Sequence, residues 1–275
     1  MPELPETETI ARDLDAETSG RTIVHARVAK ADVLREVTAA ELARRVAGVT
    51  IVHCWRRAKL VVIDLSTGDR IVVQPRFTGA LLIDAGSLPE AERRYSTLEL
   101  SLDDGRSLHY RDIRRLGTVA VMSPTRFAEY AGGLGVEPLD RAFTDDHLST
   151  LLSASRRAVK KVLMDQRRIA GIGNIYANEA LWRARIDPSR PARAVTADEA
   201  PRLRKAVVDV LTESIAARGT SFRDYRDVAG ARGKFAQRLA VYGRAGQPCA
   251  RCGAALIGTH EIDGRSTVLC VRCQE

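Results

Sequence analysis

Apolar positions near the start of the chain recur at helical spacing. Leu4, Thr7, Ile10 with Ala11, and Leu14 share one face of a helix running from about Pro5 to Thr18. Proline suits a first helical turn, Glu3, Glu6 and Glu8 sit at the positive end of the helix dipole, and Gly20 stops it. From about Thr22 to Met122 the pattern changes to short β-rich runs: Thr22–Val28, Val49–Cys54, Leu60–Leu65, Arg70–Gln74, Ala80–Asp84, Thr97–Leu102, Ser107–Arg111 and Thr118–Met122. Turn signals such as Ser66-Thr67-Gly68-Asp69 and Asp103-Asp104-Gly105 separate several of them, which predicts an antiparallel sandwich or barrel. Gly132-Gly133-Leu134-Gly135-Val136-Glu137-Pro138 reads as a linker, and helices dominate beyond it. One is expected from about Ser155 to Met164, another over Ile175–Ala184 after a turn at Gly171-Ile172-Gly173-Asn174, and a longer one over Ala197–Ala217. The last fifty residues read as a loop and a small metal-bound hairpin, and no internal repeat is found.

The chain's 275 residues suffice for two domains with their own cores. The start is acidic and lacks an apolar run, so no signal peptide is expected, and no stretch of about eighteen apolar residues predicts a membrane span. A cytoplasmic, reducing setting is the resulting expectation. The net charge of +8 is unevenly spread, with −3 over residues 1–150 and +11 over residues 151–275. Such asymmetry points the C-terminal half at a polyanion, although a solvated basic surface produces the same count.

Three features carry chemistry. Cys249-x2-Cys252-x17-Cys270-x2-Cys273 supplies four soft ligands on two turns, a pattern suited to one closed, structural Zn(2+) site with no open position for catalysis. Disulfides compete for the same cysteines, but no secretory signal supports them. Gly264-Arg265-Ser266 lies between the two pairs, where Arg265 either forks onto phosphate oxygens or stays exposed without a partner. Gly171-Ile172-Gly173-Asn174 is either a plain interhelical turn or a phosphate cradle at a helix N-terminus, with Asn174 as cap and donor. Lys160, Lys161, Arg167 and Arg168 crowd that region. Finally, methionine before proline is usually cleaved, which exposes Pro2 as a secondary amine. Such an amine can attack a sugar carbon and form an iminium ion, an electron sink that lets the sugar–phosphate backbone break by elimination. An ordinary α-amine is only about a tenth neutral at pH 7 and prolyl amines are more basic, so desolvation or a nearby cation has to assist. Glu3 can shuttle the protons. Cys54 reads as a buried small apolar residue, and His260 as a bystander to the metal.

Taken together these residues resemble the formamidopyrimidine-DNA glycosylase/endonuclease VIII family of base-excision enzymes. The resemblance spans the chain. It rests on Met1-Pro2-Glu3-Leu4-Pro5-Glu6 with Glu8-Thr9, Arg56-Arg57-Ala58-Lys59, Leu134-Gly135-Val136-Glu137-Pro138-Leu139, Met164-Asp165, Gly171-Ile172-Gly173-Asn174-Ile175-Tyr176-Ala177, Phe235-Ala236-Gln237, Val241-Tyr242-Gly243-Arg244 and the four cysteines.

It implies a two-domain α+β fold: an N-terminal helix with an antiparallel β-sandwich, then a helical helix–two-turn–helix domain with a C-terminal zinc-finger hairpin. The implied division is a catalytic domain over 1–122, a linker over 123–140, the DNA-binding helical domain over 141–220, a lesion-capping loop and connection over 221–240, and the zinc finger over 241–275. The implied activity is that of a DNA-repair glycosylase and abasic-site lyase excising 8-oxoguanine and formamidopyrimidines from duplex DNA through a Pro2 Schiff base with β,δ-elimination. Two alternatives stand beside it: an endonuclease VIII-like preference for oxidised pyrimidines, and a non-catalytic zinc-dependent DNA-binding protein.

In this scheme Pro2 is the nucleophile, Glu3 the proton donor and acceptor, and Glu6 a supporting residue. Lys59 and Arg265 contact phosphates or donate protons during β- and δ-elimination respectively. Asn174 and Lys160 bind DNA, and Phe77, Arg115 and Leu116 fill the gap left by the flipped nucleotide. Relatives often carry Met and Phe where Phe77 and Leu116 stand. Ile113 replaces a frequent proline, and Gln74-Pro75-Arg76 a more usual His-x-Gly. Leu4 and the length of the Thr220–Gln237 segment, with Gly230 and Gly233 as hinges, look like the 8-oxoguanine branch. The expected partner is damaged double-stranded DNA, and the expected state a monomer in the bacterial cytoplasm, associated with the nucleoid.

Overall fold

A computed structural model of the chain describes residues 2–221 and 225–275. Met1 and residues 222–224, the latter inside the expected lesion-capping loop, lie outside the described residues. The polypeptide divides into two compact units, Met1–Gly132 with Ala217–Ala236, and Gly133–Ala216 with Gln237–Glu275.

The first unit opens with helix α1 (Leu4–Thr18), whose buried face carries Leu4, Thr7, Ile10, Ala11 and Leu14 as the periodicity predicts. Eight strands follow: β1 (Thr22–Val28), β2 (Val49–Arg57), β3 (Leu60–Leu65), β4 (Arg70–Gln74), β5 (Gly79–Asp84), β6 (Ser96–Leu102), β7 (Ser107–Asp112) and β8 (Thr118–Met122). All pairings are antiparallel, in the spatial order β5-β7-β6-β1-β2-β3-β4-β8. β1 and β2 pair only at Thr22–Thr50 and Ile23–Val49, and each strand's other ladder carries a bulge just beyond. Bulges bend strands. Four strands on either side of this seam contribute to one core, with Leu98, Leu100 and Leu108 from one group, Val61, Ile63, Ile71 and Val119 from the other, and Ile10 and Leu14 from α1. The antiparallel sandwich expected from the sequence is present, and each expected strand lies within three residues of its expected ends.

Three helices of this unit were not expected: α2 (Ala39–Val46), α3 (Glu90–Arg93) and α4 (Pro124–Gly132). α2 buries only Leu42 and Val46, too few apolar positions for a clear period, although Thr38 caps it by accepting from Glu41 N–H at 3.2 Å. α4 occupies much of the segment read as linker. Ser123 Oγ accepts from Arg126 N–H at 3.2 Å, Pro124 fits the first turn, and Phe127 packs edge-on against Trp55 at 5.6 Å.

The second unit contains α5 (Asp145–Ser153), α6 (Val159–Leu163), α7 (Asn174–Ala184), α8 (Glu199–Ala216) and a hairpin of β9 (Ile257–Thr259) and β10 (Thr267–Leu269). The helix expected from Ser155 to Met164 is only five residues long, because the backbone before it bonds elsewhere. Val159 N–H donates to Arg190 O, Ala192 N–H to Arg157 O and Arg193 N–H to Ser155 O. Gly135, in the Leu134–Leu139 motif, lies so close to the chain before α7 that a Cβ there would sit 2.2 Å from Arg168 O.

α7 organises the C-terminal segment through two buried polar residues. The Glu179 carboxylate accepts from Ala240, Val241 and Tyr242 N–H at 2.8–2.9 Å, and Asn178 Oδ1 accepts from Val268 N–H at 2.8 Å. Losing such an acceptor strands buried donors at ~1–3 kcal/mol each. Glu179→Ala is therefore expected to lower unfolding stability by more than about 2 kcal/mol in urea titrations.

Candidate functional site

In the first unit the candidate chemistry gathers at the start of α1. Glu3 is its N-cap, with extended backbone, and both Glu3 and Glu6 are buried. Glu6 Oε2 accepts from Glu3 N–H at 2.8 Å and Glu6 Oε1 from Thr220 N–H at 2.7 Å. One carboxylate thus fixes both the backbone following Pro2 and the segment that returns to this unit after α8. Pro2 itself is buried. The return segment is closed by a Thr220–Lys234 bridge and by Gly233, where a Cβ would lie 2.3 Å from Gly219 O. Arg218, at φ +60°, ties it further to α1 and to Asp227, with Nη2 2.6 Å from Asp13 and 2.7 Å from Asp227.

Lys59 sits at the tip of the β2–β3 hairpin, buried but for 8% of its surface. Its neighbour Ala58 has φ +54°, a left-handed conformation that costs a non-glycine residue about 1 kcal/mol or more. The hairpin is held to α1 by Arg56, whose Nε donates to Glu8 Oε2 at 2.8 Å and whose Nη1 donates to Ala58 O. Burial opposes ionisation of Glu8, but the bonds and charges of Arg56 and Arg12 outweigh it and hold this carboxyl below its usual range.

The three expected gap-filling residues occupy two neighbouring turns. Phe77 lies between β4 and β5, and Arg115 and Leu116 between β7 and β8. Phe77 and Leu116 are exposed, as is Ile113. Phe77 and Arg115 both have positive φ, +40° and +51°. The Arg114 guanidinium stacks 4.7 Å from the Phe77 ring, and Arg115 pairs with Asp32 at 3.0 Å. Between the turns lies Asp112, which sequence reasoning passed over although it directly precedes the Ile113-Arg114-Arg115 run. It is 1% exposed and accepts from both turns, from Thr78 Oγ1 at 2.6 Å and Gly117 N–H at 2.9 Å.

In the second unit, Asn174 does not cap α7; Gly173 is the N-cap. Asn174 is the first helical residue, and its Nδ2 donates to Ser266 O at 2.8 Å, next to Arg265. Gly171 N–H is likewise directed inward, to Gln166 Oε1 at 2.9 Å, while Gln166 Nε2 donates to Ile172 O at 2.7 Å. Gln166 therefore shapes the two-turn segment, and it too was missed.

Lys160 corrects the expectation of a DNA-facing cation. It is fully buried, and Nζ donates to Thr267 Oγ1 at 2.7 Å with Asp263 Oδ1 and Ser266 O at 3.4 Å. Its position on α6 turns the ammonium toward the hairpin rather than toward solvent. Arg265 is exposed, and its N–H is held by Asp263 Oδ1 at 3.1 Å. It lines an open cleft of about 610 Å³ with Arg157, Lys161, Met164, Gln166 and Asp263.

The sulfur atoms of Cys249, Cys252, Cys270 and Cys273 all lie within 4.8 Å of one another. A tetrahedral site with metal–sulfur bonds of about 2.3 Å spaces its ligands about 3.8 Å apart, so the cluster fits a single ion. Val241, Leu256 and Val268 pack around it as a small core. Burial pushes the Cys273 thiol up to about 12. Burial also opposes ionisation of Cys249, but N–H groups led by that of Arg251 bring it down to about 6. Four crowded sulfurs cannot all ionise without a cation among them. Cys54 is buried beside Thr18 and pushed up to about 12 by that burial, which makes it inert.

Comparison with known proteins accounts for both units. Residues 1–119 match the family model described as the formamidopyrimidine-DNA glycosylase N-terminal domain, and residues 134–226 match the formamidopyrimidine-DNA glycosylase H2TH domain. The chain is 41% identical over 275 residues to the formamidopyrimidine-DNA glycosylase of Carboxydothermus hydrogenoformans, covering 100% of both chains. Among solved structures it resembles the MutM (Fpg) protein of Thermus thermophilus, with a TM-score of 0.87 and 35% identity over 99% of this chain and 98% of that one. It also resembles Lactococcus lactis Fpg bound to DNA containing an abasic site, with a TM-score of 0.91 and 28% identity over 99% of each chain. A further complex of that protein contains Fapy-dG DNA.

The Glu8–Arg56 pair can be tested through pH. The folded-state carboxyl titrates below its ordinary value near 4.5, so its stabilising contribution is present above that value and is lost as pH falls through the lowered one. Glu8→Gln is expected to cost about 1 kcal/mol at pH 7, and the difference from wild type should shrink in urea titrations taken progressively below pH 4.5.

Proposed function

The chain belongs to the formamidopyrimidine-DNA glycosylase family, and on that premise we propose that it excises oxidised purines, 8-oxoguanine and formamidopyrimidines, from duplex DNA and then cleaves the strand at the resulting abasic site. The observation that carries this reading is the Glu6 bridge. It holds Glu3 N–H, and hence the residue bonded to Pro2, within a buried acidic turn.

In the proposed reaction Met1 is removed and the Pro2 nitrogen attacks C1′ of the flipped deoxyribose. The C1′–base bond breaks, the base leaves protonated, and Glu3 moves the protons needed to open the sugar ring. The resulting iminium accepts the electrons released when a C2′ proton is removed and the 3′ phosphate is expelled. A second elimination expels the 5′ phosphate, and hydrolysis of the iminium by water releases the sugar fragment as an aldehyde and regenerates the amine. Lys59 and Arg265 bind phosphates or supply protons in the two eliminations. Asn174 belongs to the phosphate grip together with Arg265, supported by its bond to the neighbouring Ser266. Phe77, Arg115 and Leu116 fill the vacated stack. Leu4 and the Fapy-dG complex of the Lactococcus lactis relative support the purine preference.

One zinc ion held by Cys249, Cys252, Cys270 and Cys273 is proposed to keep the β9–β10 hairpin folded and so to present Arg265. The three buried apolar residues beside the cysteines, Val241, Leu256 and Val268, are too few to do so alone. The working unit is proposed to be a monomer in the bacterial cytoplasm. No helix among the described residues is long and apolar enough to cross a membrane.

Borohydride trapping on an 8-oxoguanine duplex tests the nucleophile. Wild-type protein whose intact mass lacks Met1 should form a covalent adduct, Pro2→Gly should lose at least about 100-fold of it, and Glu3→Gln should slow base release similarly. Equal trapping by Pro2→Gly would exclude the proposed chemistry, and faster excision of thymine glycol than of 8-oxoguanine would exclude the purine preference. Removing metal with a chelator should release one zinc per chain. Duplex affinity should fall with it, to the level of Arg265→Ala or below.

A further inference from the structure

Phe77, Leu116 and Ile113 form an exposed apolar crest on two turns that belong to different strand connections, β4–β5 and β7–β8. Neither turn has a geometry its own residues favour, since Phe77 and Arg115 both occupy the left-handed region without being glycine. Such strain persists only where surrounding contacts over-determine it. Those contacts converge on one side chain. Asp112 Oδ1 accepts from Thr78 Oγ1 at 2.6 Å, and Oδ2 accepts from Gly117 N–H at 2.9 Å and from Tyr110 OH at 3.3 Å. Thr78 and Gly117 are the residues that directly follow Phe77 and Leu116. Thr78 Oγ1 in turn accepts from Arg114 N–H at 3.0 Å, and Thr78 O accepts from Arg111 Nη1 at 3.0 Å, so the first turn is bonded both to the second turn and to the strand leading into it. Tyr110 and the two glycines seal the arrangement. A Cβ at Gly117 would lie 1.8 Å from Tyr110 OH and one at Gly79 2.9 Å from it. Burial and the adjacent Asp112 push the Tyr110 phenol well up, so it remains a donor.

We infer that Asp112 is a positioning residue for base extrusion: by receiving donors from both turns it sets the spacing of Phe77 against Arg115 and Leu116, and thus how fast these side chains displace a stacked lesion. The inference rests on the reading of Phe77, Arg115 and Leu116 as wedges. An aspartate suits the position because all the groups facing it are donors, whereas an asparagine of the same shape would turn an NH2 toward one of them.

The test uses the full-length protein and duplexes with 2-aminopurine beside 8-oxoguanine, so that fluorescence reports unstacking. Asp112→Asn should slow the fluorescence rise and lower kcat about 10-fold with little change in KM, while cleavage of a preformed abasic site, which has no base to unstack, falls less than about threefold. Thr78→Val should behave similarly, Thr78→Ser should restore the rate, and the double variant Asp112→Asn/Thr78→Val should be no slower than either alone. If Asp112→Asn fails to fold, as judged by its melting temperature, the Thr78 pair carries the test. Wild-type unstacking rates in both variants, or equal losses on 8-oxoguanine and abasic duplexes, would overturn the inference. Unaltered unstacking in Phe77→Ala would overturn the wedge reading beneath it, and an inactive wild type the function itself.

Discussion

A single buried carboxylate joins the two stretches of chain that make up the first unit. Glu6 accepts from the backbone of Glu3 and from that of Thr220, 214 residues later. Removing an acceptor from such a position strands buried donors, and converting it to a neutral amide reverses the polarity of one contact. The start of the chain would otherwise be free to fray, as termini do. A nucleophile at such a position needs the opposite property, a fixed direction of attack, since small misplacements forfeit much of the gain from orientation. The helix dipole favours the same arrangement, because Glu3 and Glu6 lie at the N-terminus, where first-turn N–H groups point out of the helix and make the environment positive.

The second unit uses buried polar contacts for a similar purpose. Lys160, Asn174 and Asn178, on α6 and α7, bond to Thr267, Ser266 and Val268 along one stretch of the hairpin. The hairpin has only three residues in each strand, below what an isolated ribbon needs for stability. The helices and the packing around the four cysteines thus both support it, and Arg265 emerges at the turn they hold. The fully buried ammonium of Lys160 belongs to this scaffold. Its desolvation is compensated by the Thr267 hydroxyl, the Ser266 carbonyl and the Asp263 carboxylate.

Backbone strain concentrates on the elements that carry the proposed chemistry. Ala58 adjoins Lys59, Phe77 and Arg115 carry the crest, and Arg218 opens the return segment bound by Glu6. Phe77, Arg115 and Arg218 are held by contacts made outside their own turns, the pattern expected when a conformation serves a site rather than the local chain. Two other described non-glycine residues have positive φ: Arg185 caps α7, which is an ordinary way for a helix to end, and Glu36 lies in an exposed bend paired with Arg126.

The sequence by itself determined the fold class, the strand positions, the α1 face and the four-cysteine cluster. These depend on alternation, turn residues and short spacings, all local signals. Tertiary structure decided what depends on partners far along the chain. α6 is short because residues 155–158 bond to residues 190–193. Lys160 is buried because a hairpin more than a hundred residues away receives it. Asp112 looks like any surface acid beside arginines until Thr78 and Gly117 are brought to it. A polar side chain's role is set by the donors and acceptors that surround it after folding, and the order of residues along the chain does not encode that neighbourhood directly.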